Sequence, residues 1–194
     1  MRIVFCGVGA LGSTALSFCR NFQACWVLVD FDRVESKNLS VQAYVKQSVG
    51  KNKAQAMAMQ LANFYGIKCE AKGVRVCREN LVALLNGADL AVDCLDNAAG
   101  RELLSDYAKS HQLPLIHAAT SADGAFAMIR WDQRFSADRE DYTGQATCDG
   151  GEHLPLIGLA ASCLARSIQD FVTQKRQWDY MVSLHGIRCV YDGP

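Results

Sequence analysis

The stretch RIVFCGVGALGSTALSFCRNF, residues 2–22, decides the fold. An apolar run over residues 2–6 meets Gly7, Gly9 and Gly12 and passes into an apolar-periodic stretch over 11–22. That order reads as strand, tight turn, helix. Glycines in such a turn let an anion come close to the backbone N–H groups at the helix start, so the turn predicts a phosphate cradle. The pattern alone does not choose among nucleotides, because nicotinamide and flavin enzymes share it.

Working outward, short apolar runs alternate with amphipathic stretches along the rest of the chain. Strands are expected at 2–6, 26–30, 68–72, 90–94, 115–118 and 126–131, and helices at about 11–22, 53–65, 79–85, 99–111 and 156–175. Two further runs, 180–184 and 187–191 around His185 and Gly186, predict a C-terminal β-hairpin. The alternation specifies an α/β, Rossmann-like, mostly parallel and doubly wound sheet, with ligand at the carboxyl ends of the strands. The polar segment 132–152 departs from the pattern, and an irregular stretch of that length is usually functional or disordered.

Bulk properties narrow the class. A chain of 194 residues suits one domain, 1–194, burying roughly 70% of its unfolded surface. With Lys+Arg 20 against Asp+Glu 20 there is no net charge, so neither a nucleic-acid surface nor a membrane-attracted face is expected. Nine cysteines without a single C-x-x-C pair argue for free thiols in a reducing compartment, and with no signal-like start the expectation is a cytoplasmic protein. Cys6, Cys94 and Cys163 fall in apolar patterns and read as packing residues.

Three further elements carry chemistry. VDFDRVESKNL, residues 29–39, places Asp30 at the end of the second strand, where a carboxylate hydrogen-bonds ribose hydroxyls; Asp32 reads as a cap of the following turn. Asn38 and Gln42 are neutral amides that either donate to phosphate oxygens or hold turns. GKNK, residues 50–53, sets Lys53 at a helix start, where a cation is the wrong sign unless an anion is also present, so Lys53 reads as a phosphate ligand. DCLDN, residues 93–97, offers Asp96 as a Mg²⁺ ligand and Asp93 as a structural carboxylate, with helix capping the alternative for Asp96 and Asn97. His117 reads as structural.

In this order, GVGALG, VDFDRVESKNL, G..K and DC.DN, closing with TC and PLIGLAASCLARSIQDF, the chain resembles the ThiF/MoeB/HesA family, the adenylating core also found in ubiquitin-activating enzymes. The resemblance implies a single ThiF-type domain that uses ATP and Mg²⁺ to adenylate the C-terminal Gly-Gly carboxylate of a small ubiquitin-like or sulfur-carrier protein. It assigns Gly7, Gly9 and Gly12 to the nucleotide loop, Asp30 to the ribose, Asn38, Gln42 and Lys53 to phosphates, and Asp96 to Mg²⁺. Cys148 matches a thiol that some members use in transfer, in a loop before a long helix whose N-terminus can lower a thiol pKa.

The chain departs from the family in three ways. Val41 stands where the family carries a phosphate-directed arginine; the family's N-terminal helices have no counterpart; and its zinc C-x-x-C motifs are missing, so no zinc is expected. Since loss of one such donor costs ~10²–10³ in turnover, these departures predict a site completed by a homodimer or heteromer. They also keep open a non-catalytic member that binds a ubiquitin-like partner. A nicotinamide oxidoreductase would account for the glycine loop and Asp30, but not for Lys53 or DCLDN.

Overall fold

The computed structural model describes residues 1–121, 123–136 and 153–190. Its strands are β1 (Arg2–Cys6), β2 (Cys25–Val29), β3 (Cys69–Lys72), β4 (Leu90–Asp93), β5 (Leu115–Thr120), β6 (Phe126–Trp131), β7 (Asp179–Ser183) and β8 (Gly186–Val190). The helices are α1 (Ala10–Phe18), α2 (Lys53–Tyr65), α3 (Arg78–Leu85), α4 (Ala98–His111) and α5 (Leu154–Gln174). The strands form one eight-stranded sheet in the order β3-β2-β1-β4-β5-β6-β7-β8. Pairing is parallel from β3 to β5 and antiparallel from β5 to β8. The expected doubly wound sheet and terminal hairpin are both present.

Period-two alternation divides the core. Ile3, Phe5, Trp26, Leu28, Leu90, Val92 and Ile116 face α1, α2 and α5. Val4, Cys6, Val27, Val29, Ala91 and Leu115 face α3 and α4. β1 lies between β2 and β4, so the chain leaves it in one direction and returns on its other side. The turns after β1 and β4 therefore meet at the switch point where such sheets bind ligands.

Helix boundaries shift from expectation for local reasons. α1 ends at Phe18, and the chain tightens into a 3-10 turn, Cys19–Asn21, that leaves Cys19 buried. α5 starts two residues early because Pro155 suits a first turn, where its missing N–H costs no helix bond.

The turn after β1 needs glycine. Gly7 has φ +92°, and a Cβ there would lie 2.5 Å from the Cys94 carbonyl oxygen; a Cβ on Gly12 would overlap the Gly7 carbonyl. Gly9 faces open space. Gly7→Ala is expected to lower stability by about 1–3 kcal/mol from backbone strain alone, read as a fall in urea midpoint. Gly9→Ala should change stability by less than ~1 kcal/mol.

Candidate functional site

The carboxyl edge of the sheet gathers the expected residues. α1 starts after its N-cap Gly9 with no side chain capping it, so the N–H groups of its first turn have no side-chain acceptor, and a Cβ on Gly9 would meet nothing within 4 Å. The loop is held by residues distant in sequence. Val8 N–H donates to Asp30 Oδ2 at 2.7 Å, and Val8 carbonyl accepts from Tyr44 Oη at 2.6 Å. Asp30 also accepts from Asp32 N–H at 2.9 Å. Burial pushes the Asp30 carboxyl above its ordinary pKa, while the N–H groups of Val8 and Asp32 and the Lys53 charge pull the other way. A carboxylate oxygen accepts more than one hydrogen bond, so Asp30 can hold the loop and still meet a hydroxyl.

Lys53 opens α2 with its side chain largely buried and its ammonium 3.1 Å from Asp32 Oδ2. This corrects the reading of Asp32 as a turn cap: its carboxylate, still half-exposed, pairs with Lys53. Asn52 caps α2 by accepting from Gln55 N–H, and its amide donates to the carbonyls of Asp30 and Asp32. The second strand's exit and the start of α2 are thereby joined. Asn38 is buried and committed locally, its Oδ1 accepting from Glu35 N–H at 2.8 Å. Gln42 is buried too, and its Oε1 has no hydrogen-bond partner among the described residues. An unpaired buried polar atom costs about 1–3 kcal/mol. Because amide O and N exchange by rotation, the same position can present a donor to an anion.

Val41 is 2% exposed and packs in the main core rather than at the polar edge. Asp96 is exposed in the turn after β4, where Asn97 Nδ2 approaches its Oδ1 at 3.4 Å. Capping of α4 falls to Asn97, whose Oδ1 accepts from Gly100 N–H at 2.8 Å, which leaves the Asp96 carboxylate for other work. Among the described residues no three His, Cys, Asp or Glu side chains are grouped to hold a metal by themselves. A divalent ion at Asp96 would draw its remaining ligands from phosphate and water, as Mg²⁺ commonly does. Asp93 is fully buried and structural, as expected: Leu95 N–H, Arg101 and His117 all contact its carboxylate. Cys148 lies outside the described residues.

Tyr44 and Arg101 are absent from the sequence reading. No spacing marks the tyrosine, and the partners of Arg101 lie on the β4 exit and on β5, where helix periodicity gives no sign of them.

Four thiols, of the sheet and of the turns that leave β4 and α1, are held in the neutral form. Burial, reinforced by Asp93, pushes Cys6 and Cys94 far above the ordinary thiol range; burial alone pushes Cys19 up to about 12 and Cys69 up to about 11. Iodoacetamide at pH 8 is expected to alkylate exposed Cys25 in the folded protein and to reach Cys6, Cys19 and Cys94 only after urea unfolding, as read by peptide mass mapping.

Comparison with known proteins places this geometry. The sequence model of the ThiF family matches residues 1–189. The chain is 34% identical over 131 residues to the sulfur carrier protein adenylyltransferase of Thermus thermophilus, covering 66% of this chain and 48% of that protein. It is 32% identical over 121 residues to the SAMP-activating enzyme E1 of Haloferax volcanii, covering 61% of this chain and 45% of that protein. The chain thus spans less than half the length of these curated relatives. Among solved structures, MccB of E. coli with ATP superposes with a TM-score of 0.79 at 16% identity, over 98% of this chain and 63% of that one. At that identity the likeness concerns the fold. No described helix is long and apolar enough to cross a membrane.

Proposed function

Because the chain belongs to the ThiF family, we propose that it uses ATP to adenylate the C-terminal glycine carboxylate of a small ubiquitin-like or sulfur-carrier protein. The observation that carries this reading is the meeting, at one switch point, of an uncapped helix N-terminus, the Asp30 carboxylate, the Lys53 ammonium and the exposed Asp96 carboxylate. The relatives named for activating SAMP and a sulfur carrier protein, and the fold neighbour solved with ATP, support it.

In this reading the N–H groups of α1 and Gln42 hold the phosphates, and Asp30 holds the ribose. A carboxylate oxygen of the carrier attacks the α-phosphorus in line; the bond from that phosphorus to its bridging oxygen breaks, pyrophosphate leaves and an acyl-adenylate forms. The nucleophile is already an anion, so no general base is required, and catalysis reduces to positioning and charge stabilisation. Lys53, released from Asp32, follows the charge that develops on pyrophosphate. Mg²⁺ held through Asp96 would neutralise phosphate oxygens. Val41 supplies no charge, so the remaining cation comes from a second subunit, in a homodimer or heteromer.

Burial of Val41 in the core also favours a second reading, a family member that binds a ubiquitin-like tail without adenylating it. Titration with ATP and the carrier while following pyrophosphate separates the two, since only the enzyme releases it.

Asp96→Ala is expected to abolish carrier-dependent pyrophosphate exchange while leaving the thermal midpoint within about 2 °C of wild type, because Asn97 keeps the α4 cap. Parallel loss of midpoint and activity would assign Asp96 to the fold instead. If Cys148 accepts the activated group, Cys148→Ser should still exchange pyrophosphate yet form no reductant-sensitive conjugate, read by mass spectrometry with and without thiol. A conjugate that survives the substitution would place the acceptor thiol elsewhere.

A further inference from the structure

We infer that Arg101, His117 and Asp132, acting through Asp93, are positioning residues that hold the turn after β4 in the shape that presents Asp96. The inference rests on the adenylation reading, since it concerns how one carboxylate of that site is held.

Residues 94–97 must convert strand into helix within four residues, and Asp96 lies on that turn without a cap of its own. The residue before it, Leu95, is pinned on both sides. Its N–H donates to Asp93 Oδ1 at 2.8 Å, and its carbonyl accepts from the Arg101 guanidinium. The same guanidinium donates to the Ala118 carbonyl at 3.1 Å and to Asp93 Oδ2 at 3.2 Å. One planar fork thus ties the turn to β5 and to the end of β4, a task suited to the rigid donors of arginine.

Behind Asp93 the chain of contacts continues into the interior. His117 is fully buried, with Nδ1 2.7 Å from Asp93 Oδ2 and Nε2 3.0 Å from Asp132 Oδ1. Asp132 also accepts from Ser105 Oγ, and the Lys109 ammonium lies 3.9 Å from its other oxygen. Arg101, Ser105 and Lys109 recur every fourth residue along α4, so one helix face carries all three contacts. Phe135 stacks on the His117 ring at 3.8 Å and 11°, closing it from above.

Burying an imidazole and two carboxylates costs several kcal/mol per charge unless they are paired, and an apolar cluster of the same volume would pack at least as well. What the polar chain adds is direction. An imidazole with both nitrogens on carboxylates cannot rotate without losing a bond, and Asp93 cannot turn without releasing Leu95. The contacts of Arg101 and Asp93 reach the turn through the Leu95 backbone, so the chain's effect on the reaction passes through that turn. Removing partners hydrogen-bonded to a metal-binding side chain commonly changes metal affinity about 10–100-fold; here the support reaches Asp96 through the Leu95 backbone, which sets the lower end of that range as the expectation.

Arg101→Lys keeps a cation beside Asp93 but cannot span the Leu95 and Ala118 carbonyls together. We expect backbone amide exchange at Leu95 and Asp96 to accelerate by about tenfold or more while β1 amides keep their protection. The magnesium concentration for half-maximal ATP binding, read by calorimetry, should rise about tenfold, with ATP affinity in EDTA unchanged. Ser105→Ala, which removes one contact to Asp132 and little volume, should move both readouts in the same direction by a smaller factor, and it carries the test if Arg101→Lys does not fold. Unchanged exchange at 95–96, or acceleration there matched by equal acceleration throughout β1, overturns the inference, as does an unchanged magnesium requirement in a variant whose turn has loosened. The exchange measurement needs no nucleotide. Wild-type protein that binds no ATP would overturn the adenylation reading, whereas a turn indifferent to Arg101 overturns this one.

Discussion

The backbone of Gly7 lies directly against the carbonyl of Cys94, too close for any side chain between them. This contact joins the turn leaving β1 to the turn leaving β4 and makes one continuous edge of the glycine loop and the DCLDN segment. Gly12 repeats the device one step later, allowing α1 to start immediately over the Gly7 carbonyl. Remote residues then lock the result. Asp30 from the end of β2 takes the Val8 N–H, and Tyr44 from the following connection takes the Val8 carbonyl. A loop of small residues with little enthalpy of its own is held in one shape by groups that arrive from two other parts of the chain, and such preorganisation lowers the cost of binding.

Charge along this edge is allocated sparingly. Asp30, Asp32 and Asp96 bring negative charge to the place where a polyphosphate would lie. Lys53 is already paired with Asp32, and the Arg101 guanidinium is committed to Asp93 and two carbonyls. Val41, at the position where the family resemblance implies a cation, is part of the apolar core. The partial positive charge of the α1 N-terminus, worth about half a unit, cannot balance a triphosphate. Among the described residues the proposed chemistry thus asks for further positive charge at this edge, which the proposal draws from a divalent ion and a second subunit.

Much of this was legible in order and spacing alone. The strand, glycine turn and helix at the start, the alternation that follows, and the terminal hairpin all appear close to their expected bounds, because apolar periodicity and glycine placement are local properties. The positions of Asp30, Lys53 and Asp96 at strand ends or helix starts followed from the same pattern. Asp32 was misread because turn capping is the commoner use of an aspartate there, and its partner lies on another element, 21 residues away. Cys148 falls in the segment where periodicity gives no purchase, outside the described residues.

The sequence by itself determined the elements, their alternation and the family pattern, since each depends on residues close together along the chain. The tertiary structure alone decided what each carboxylate does. Asp93, Asp96 and Asp132 are the same chemical group, yet one is sealed against His117 and Arg101, one is exposed on a turn and one anchors the far end of a buried chain. Those differences come from desolvation and from partners brought in by β5, β6 and α4. A side chain's role is set by the contacts that sheet closure provides, and no local spacing encodes them.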